Sequence, residues 1–246
     1  MQAGQKVVVR LGPMTPTILA VLAVGGLLGL RHAFEPDHLA AVSTLASRQG
    51  RLWGAARLGL AWGVGHTAAV GTVVLLVIVL GVRLPATLWP AAELVVAALL
   101  VLLGGTVVWR YARGRWHIHA HNHLAVGTAP HFHLHTHAHA ADHLHVHASA
   151  DARRSLGFGV GHGLAGSGAI AVLLVAAAPT AGLQLAYFAA FGAGTMLGML
   201  AVSLALGGLV RAAARRGATW ATVLHVGSAL ASVAAGVVLA WRVMWE

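Results

Sequence analysis

Long apolar runs separated by short arginine-bearing segments dominate the chain, and this pattern predicts membrane-spanning helices. A helix that crosses a bilayer needs about 20 mostly apolar residues. Six runs reach that length: residues 17–46, 58–82, 88–111, 155–178, 183–210 and 218–243. Because backbone polar groups in lipid must be satisfied within the segment, helices are expected throughout. The predicted fold class is therefore an all-α, polytopic membrane protein with six transmembrane helices.

The composition supports this class and excludes others. Of the 246 residues, 58% are hydrophobic and only 9% are charged, whereas a soluble domain carries about 25% charged residues. A soluble enzyme and a disordered chain are thereby excluded. The absence of cysteine excludes a disulfide scaffold and thiolate metal sites.

The basic residues predict how the helices are oriented. The formal net charge of +10 would suggest nucleic-acid binding in a soluble protein. Here the arginines flank apolar runs, so we expect the lipid bilayer and no nucleic acid as partner. The loops after the first, third and fifth runs carry 11 basic residues, and the opposite side carries four. The positive-inside rule then puts those three loops in the cytoplasm and both termini outside.

An internal similarity divides the chain into halves. Segment 29–42 (GLRHAFEPDHLAAV) aligns with segment 159–172 (GVGHGLAGSGAIAV), with Gly, His, Ala and Val identical at positions 29, 32, 41 and 42. Three spans per half predict a 3+3 inverted repeat, as in many secondary transporters; chance similarity between Gly/Ala-rich helices is the alternative. The expected domains are 1–113, a three-helix half with the polar motif, 114–152, a histidine-rich cytoplasmic loop, and 153–246, the second three-helix half.

Five ionisable residues crowd into one octapeptide of the first run, RHAFEPDH at 31–38. An ionisable side chain at bilayer depth costs about 2.5–3.5 kcal/mol on insertion scales, so such a cluster indicates a functional site. Neutral imidazoles suit divalent transition metals, and carboxylates add compensating charge. The candidate ligands are His32, Asp37 and His38, with Glu35 as an accessory. The alternative is a polar helix end facing the lipid headgroups, which the apolar residues 39–46 argue against.

Pro36 predicts a break within this helix. It has no N–H and its ring clashes with the preceding turn, so the carbonyl of residue 32 loses its helical partner. On a regular helix, at about 100° per residue, His32, Asp37 and His38 would point in three directions. We expect the broken turn to gather them around one ion and to expose backbone groups as further ligands.

Two more histidines are candidate ligands, His66 early in the second run and His162 early in the fourth. Both follow a Gly-x-Gly sequence, and small residues let helices approach closely, so each imidazole can reach a neighbouring helix. The alternative is a packing residue held by hydrogen bonds, which is the interpretation we favour for His225. Glu93 is an accessory candidate, either a proton-relay group or an interfacial residue.

A histidine-rich tract separates the third and fourth runs and holds twelve of the 17 histidines, mostly at every second position. Such a tract is typical of metal binding, as a buffer, a handover surface or a sensor. A pH-responsive loop is the alternative, because histidine titrates near neutrality. We expect a flexible tract of weak, exchangeable sites formed by His117, His119, His121, His123, His131, His133, His135, His137, His139, His143, His145 and His147.

The octapeptide resembles the H-x4-D-H signature of the nickel/cobalt transporter family, often written RHAFDADH, and WGVGHTAAV resembles that family's second signature. The six-span pattern with a histidine-rich middle loop is similar to the nickel/cobalt efflux branch and to membrane proteins found beside urease genes. Uptake permeases of the family have eight spans and an Asp-Asn where Ser43 and Thr44 stand here, so the direction of transport stays open. The resemblance implies that the ion is bound by His32, Asp37, His38 and His66.

Three functions follow from these features. The first is a transporter of the cytoplasmic (inner) membrane, with Ni²⁺ or Co²⁺ as the transported substrate. We expect it to have no organic cofactor and to have a cytoplasmic metallochaperone as a partner. Because the chain has no GxxxxGK[ST] motif, an ion gradient, the membrane potential or a partner subunit must supply the energy. The second is a membrane sensor or relay that passes metal to a metalloenzyme such as urease. The third is an intramembrane metalloenzyme, since two His and an Asp can hold zinc; we expect a transporter rather than an enzyme.

Overall fold

The computed structural model describes residues 16–46, 52–81, 85, 87–113, 117–121, 131–135, 147–165 and 179–245. Within these residues the chain is helical apart from one short hairpin. The elements are α1 (Pro16–His32), α2 (Pro36–Ala46), α3 (Leu52–Leu80), α4 (Leu88–Ala112), β1 (His117–His121), β2 (His131–His135), α5 (His147–Ala165), α6 (Ala181–Arg216) and α7 (Ala218–Trp245). The all-helical class predicted from the apolar runs is confirmed for the bundle.

Four helices, α3, α4, α6 and α7, are long and apolar enough to cross a membrane, and the bent pair α1–α2 provides a fifth crossing if it counts as one span. The predicted span 155–178 is described only to residue 165, within α5, and its remainder lies outside the described residues. Two predicted starts were wrong. Helices α3 and α5 begin at Leu52 and His147, because each helix includes the arginine-bearing segment that precedes its apolar stretch. His66 therefore lies mid-helix, and His162 lies near the end of α5.

Helices that are distant in sequence touch backbone to backbone. Helix α1 packs on α6, α3 packs on both α5 and α6, and α4 packs on α7. A side chain at Gly29 would collide with the backbone of Phe191 on α6, and one at Gly159 would collide with the backbone of Trp62 on α3. Glycine allows these approaches because it leaves no Cβ between the helices. The positions of His32 and His162 follow from these contacts, since each lies three residues beyond one of the glycines.

The outer surface of the bundle is apolar and much of its interior is small or polar. Leu27, Leu102 and Leu197 are exposed by 67%, 62% and 63%, which suits side chains that face lipid rather than water. Trp62, Leu100 and Met199 are fully buried and pack with α2 in the core. Buried histidines share this interior.

The break at Pro36 is confirmed. Helix α1 ends at His32, α2 begins at Pro36, and the pair is bent by 58°. Pro36 takes the first position of α2, where its missing N–H costs no helical hydrogen bond. The backbone N–H of Glu35 donates to the His32 carbonyl at 3.0 Å. This carbonyl, which the proline deprives of its helical partner, is therefore hydrogen-bonded within the broken turn.

The histidine-rich tract contains a hairpin that the sequence interpretation missed. Strands β1 and β2 pair antiparallel, with His117 opposite His135, His119 opposite His133 and His121 opposite His131. Residues at every second position of a strand share a face, so the spacing of the histidines was itself a strand pattern. The register pairs six histidines with one another across the two strands.

Candidate metal centre

Five potential ligands from four helices meet at the helix break. His32 is the last residue of α1, Asp37 and His38 lie in the first turn of α2, His66 lies in the middle of α3, and His162 lies on α5. The four histidines are nearly or fully buried, and the Asp37 side chain is 19% exposed. The structure thus brings together all five ligands proposed from the sequence.

The five residues form two groups of three that share one histidine. In each group the ligand atoms lie within 4.8 Å of one another. The first group is His32, His38 and His66, and the second is Asp37, His38 and His162. We call the space among the first three the imidazole position and the space among the second three the carboxylate position.

At the imidazole position, the Nε2 atoms of His32 and His66 are 3.1 Å apart. The His38 ring lies 4.5 Å from the His32 ring and 5.2 Å from the His66 ring, centroid to centroid. Two nitrogens at this separation can both bind one ion at about 2.1 Å. The position is therefore compatible with a divalent transition metal held by three neutral nitrogens.

At the carboxylate position, Asp37 joins two histidines. Its Oδ2 lies 2.9 Å from Nε2 of His162, and its Oδ1 lies 3.3 Å from Nδ1 of His38. The rings of His38 and His162 are 4.4 Å apart. Asp37 lies in the first turn of α2, where the positive end of the helix dipole stabilises a carboxylate.

Glu35 supports His32 from outside the groups. Its Oε2 lies 3.1 Å from Nδ1 of His32, and a carboxylate only accepts hydrogen bonds, so Nδ1 carries the proton. The Nε2 lone pair of His32 then faces the imidazole position. Ligand histidines in proteins are commonly oriented by a second partner in this way.

Two buried ring nitrogens of the proposed ligand set have no hydrogen-bond partner, Nε2 of His38 and Nδ1 of His66. Leaving a buried polar atom unsatisfied costs about 1–3 kcal/mol, and such atoms call for a specific explanation. If Nδ1 of His38 donates to Asp37, its Nε2 presents a lone pair in a buried site, as a metal ligand requires.

Other candidates lie apart from the two groups. Glu93 is half-buried on α4 and His225 is buried on α7, and neither belongs to either group. Six loop histidines occupy register positions of the hairpin and His147 begins α5. The remaining loop candidates, His123, His137, His139, His143 and His145, lie outside the described residues.

The sequence interpretation missed two supporting residues. The Thr195 hydroxyl is buried and contacts the carbonyls of Gly29 and Phe191, at 3.2 and 2.9 Å, which ties α6 to α1 just before His32. The Trp62 ring lies 5.4 Å from the His162 ring. A signal for both exists, because an aromatic-Gly-x-Gly sequence precedes His66 (WGVGH) and Thr195 (FGAGT).

Comparison with known proteins places the chain in a family. Residues 18–244 match the family NicO, described as high-affinity nickel-transport protein. Over 87 residues the chain is 33% identical to "Urease accessory protein UreH" of Bacillus sp. (strain TB-90). The aligned segment covers 35% of this chain and 38% of that relative. The chain thus spans less than two fifths of the curated relative that it matches, and no solved structure matches it. The family is one of transporters rather than enzymes, in line with the sequence prediction. With its apolar helices and its match over nearly the whole length, the chain is a multi-pass membrane protein that belongs to the NicO family of high-affinity nickel-transport proteins.

Proposed function

We propose that this protein carries Ni²⁺ or Co²⁺ across the cytoplasmic membrane, and that the ion is held in transit by His32, Asp37, His38, His66 and His162. One observation carries the proposal: the five ligand side chains come from four helices and meet at a helix break inside an otherwise apolar bundle. Family membership supports nickel as a substrate.

The donor set suits this cargo. Imidazole nitrogen binds nickel and cobalt well, and a carboxylate supplies negative charge against the divalent ion. A dehydrated ion in a low-dielectric interior must replace its lost water ligands, and the two ligand groups offer those replacements. The break supplies the geometry, because a continuous helix would direct His32 and His38 to different sides.

We propose that six spans form a 3+3 inverted repeat, and recurring interhelical contacts support it. A side chain at Gly194 on α6 would strike Gly26 and Leu30 of α1. A side chain at Gly65 on α3 would strike positions 156 and 160 of α5. These two positions lie 130 residues after Gly26 and Leu30. The same helix-to-helix approach thus occurs twice between the halves, with the roles of the two halves exchanged.

The α4–α7 pair repeats a contact in the same way. A side chain at Gly104 on α4 would strike Ala229 and Val233 of α7, and one at Gly236 on α7 would strike the turn 97–101 of α4. The two contacts are related by an offset of 132 residues, which takes position 104 to 236, 97 to 229 and 101 to 233. Such a recurrence favours the repeat over chance similarity of small-residue helices.

The histidine-rich loop is proposed to face the cytoplasm, with both termini outside, and to collect or buffer metal there. The excess of basic residues in the loops on that side supports this orientation, and the hairpin pairs six histidines across its two strands. Because the chain has no cysteine, a single cysteine placed at Gly127 can be labelled selectively. An impermeant maleimide should label it in inside-out vesicles but not in intact cells; the reverse result would invert the topology.

A relay of nickel to a metalloenzyme is the second candidate function. It is favoured by the relative's name, urease accessory protein, and a cytoplasmic metallochaperone would be the receiving partner. Deletion of residues 115–150 separates the two functions. A transporter should keep metal flux in vesicles with altered affinity, whereas a relay should lose metal delivery and show no flux in any form.

The test of transport is radiometal flux in proteoliposomes with imposed proton and potential gradients, comparing nickel, cobalt and zinc in both directions. His38→Gln should reduce nickel flux at least about tenfold, because a ligand common to both groups is lost. The matched control is His225→Gln, which alters another buried histidine on a neighbouring helix. Equal flux in the two variants, at equal amounts of folded protein, would refute the proposed site.

A further inference from the structure

We infer that the centre offers two alternative positions for one ion, and that His38 passes the ion between the imidazole position and the carboxylate position. The inference rests on the proposed transport function and specifies the path of the ion through the same site. Its basis is the arrangement of the five ligands into two triads that share a single residue.

The positions of the rings separate the two triads. The His38 ring lies about equally far from the rings of His32 and His162, at 4.5 and 4.4 Å. The rings of His66 and His162 are farther apart, at 6.1 Å. His38 is thus placed between the two positions and can contribute to either.

The chemistry of imidazole makes the two positions exclusive. A neutral imidazole has one N–H and one lone pair, so His38 can bind an ion through only one of its nitrogens at a time. Nδ1 faces Asp37 at 3.3 Å, while Nε2 is buried without a hydrogen-bond partner. When Nδ1 donates to Asp37, the Nε2 lone pair can serve the imidazole position; the other tautomer offers Nδ1 to the carboxylate position.

Asp37 then has a different role in each state. With the ion at the imidazole position, Asp37 accepts hydrogen bonds from His38 and His162 and orients His38, as Glu35 orients His32. With the ion at the carboxylate position, Asp37 binds it directly and adds one negative charge. A charged ligand gives the stronger attraction to a divalent cation, so we expect tighter binding at the carboxylate position.

The test measures binding and flux separately in full-length protein in nanodiscs and proteoliposomes, with Ni²⁺ as the probe. All proteins carry asparagine in place of the twelve loop histidines, so that only the centre is titrated. His66→Gln removes a ligand of the imidazole position alone. His162→Gln and Asp37→Asn each remove a ligand of the carboxylate position. Two variants are used so that the test still stands if one of them fails to fold.

With two positions, the reference protein binds one Ni²⁺ per chain, and His66→Gln and His162→Gln each still bind one. X-ray absorption should show nitrogen ligands with a carboxylate oxygen in His66→Gln, and a nitrogen-rich shell without the carboxylate in Asp37→Asn. Each single variant should lose flux at least about tenfold, because the ion can no longer step between positions. The double variant His66→Gln/His162→Gln should lose binding.

Two bound ions per chain would indicate two independent sites and would overturn the inference. Loss of all binding in both His66→Gln and His162→Gln would indicate one shared site and would overturn it too. Unchanged flux in either single variant would overturn it as well. Failure of the proposed function looks different: the reference protein would then move no Ni²⁺ in proteoliposomes. The binding stoichiometry and the X-ray absorption spectra would still decide between one position and two.

Discussion

Gly163 offers a way to displace one metal ligand without altering any ligand atom. It follows His162 on α5 and faces α3, and a Cβ at this position would lie 2.6 Å from the carbonyl oxygen of His66. It would also lie 3.0 Å from the Cβ of Ala69. The obstacle is backbone, which cannot rotate out of the way, so Gly163→Ala must push α5 from α3.

The size of the displacement follows from the contact distances. Ordinary Cβ contacts begin at about 3.4 Å, so the helices must part locally by about 0.8 Å to bring a 2.6 Å approach to that value. If α2 stays in place, such a shift would stretch the 2.9 Å contact between His162 and Asp37 to at most about 3.7 Å, beyond hydrogen-bonding range. Overpacking of this kind costs about 1–3 kcal/mol of stability.

We expect Gly163→Ala to weaken nickel binding and flux between about 10- and 100-fold, because sites that hold an ion or substrate tolerate less than about 1 Å of misplacement. The control is Gly157→Ala on the same helix, where a Cβ meets nothing within 4 Å. That variant should keep flux and gain about 0.5–1 kcal/mol from reduced chain entropy. Thermal unfolding in detergent and radiometal flux in proteoliposomes measure both effects. If the two variants behave alike in both assays, the close approach of α3 and α5 does not position His162.

Three further outcomes are expected. Glu35→Gln should weaken nickel binding about 10- to 100-fold while the helical content stays unchanged, because the carboxylate that orients His32 is lost; isothermal titration checks this, and an unaltered Kd would contradict the role. Ser232→Ala removes the hydroxyl that donates to the Leu100 carbonyl at 3.0 Å and should lower stability by about 1 kcal/mol with flux unchanged, as measured by thermal unfolding beside vesicle assays. Replacing the six hairpin histidines by asparagine should lower the amount of metal bound per chain but leave flux through the membrane, which equilibrium dialysis and radiometal flux test together; lost flux would instead show that the hairpin takes part in transport.

The helices and the break were predictable from local pattern alone. Runs of about 20 apolar residues have few alternatives to a spanning helix, and Pro36 interrupts a helix whatever surrounds it. The chemistry of the octapeptide 31–38 was equally local, since a concentration of imidazole and carboxylate in an apolar run is costly unless it serves a function. Helix ends were less predictable, because α3 and α5 include the arginine-bearing segments that precede the apolar stretches marking the spans.

The division of the ligands into two groups was not predictable in this way. His66 and His162 both follow Gly-x-Gly and look equivalent in the sequence, yet one lies beside His32 and the other beside Asp37. Which turn of each helix faces the break depends on how closely the helices approach, and backbone contacts at Gly29, Gly159 and Gly163 set that approach. Those contacts join residues far apart in the chain, so local preferences carry no information about them. The sequence by itself determines the residue types of the site and the helix break. Which neighbours each imidazole contacts is determined only when α1, α3, α5 and α6 pack together.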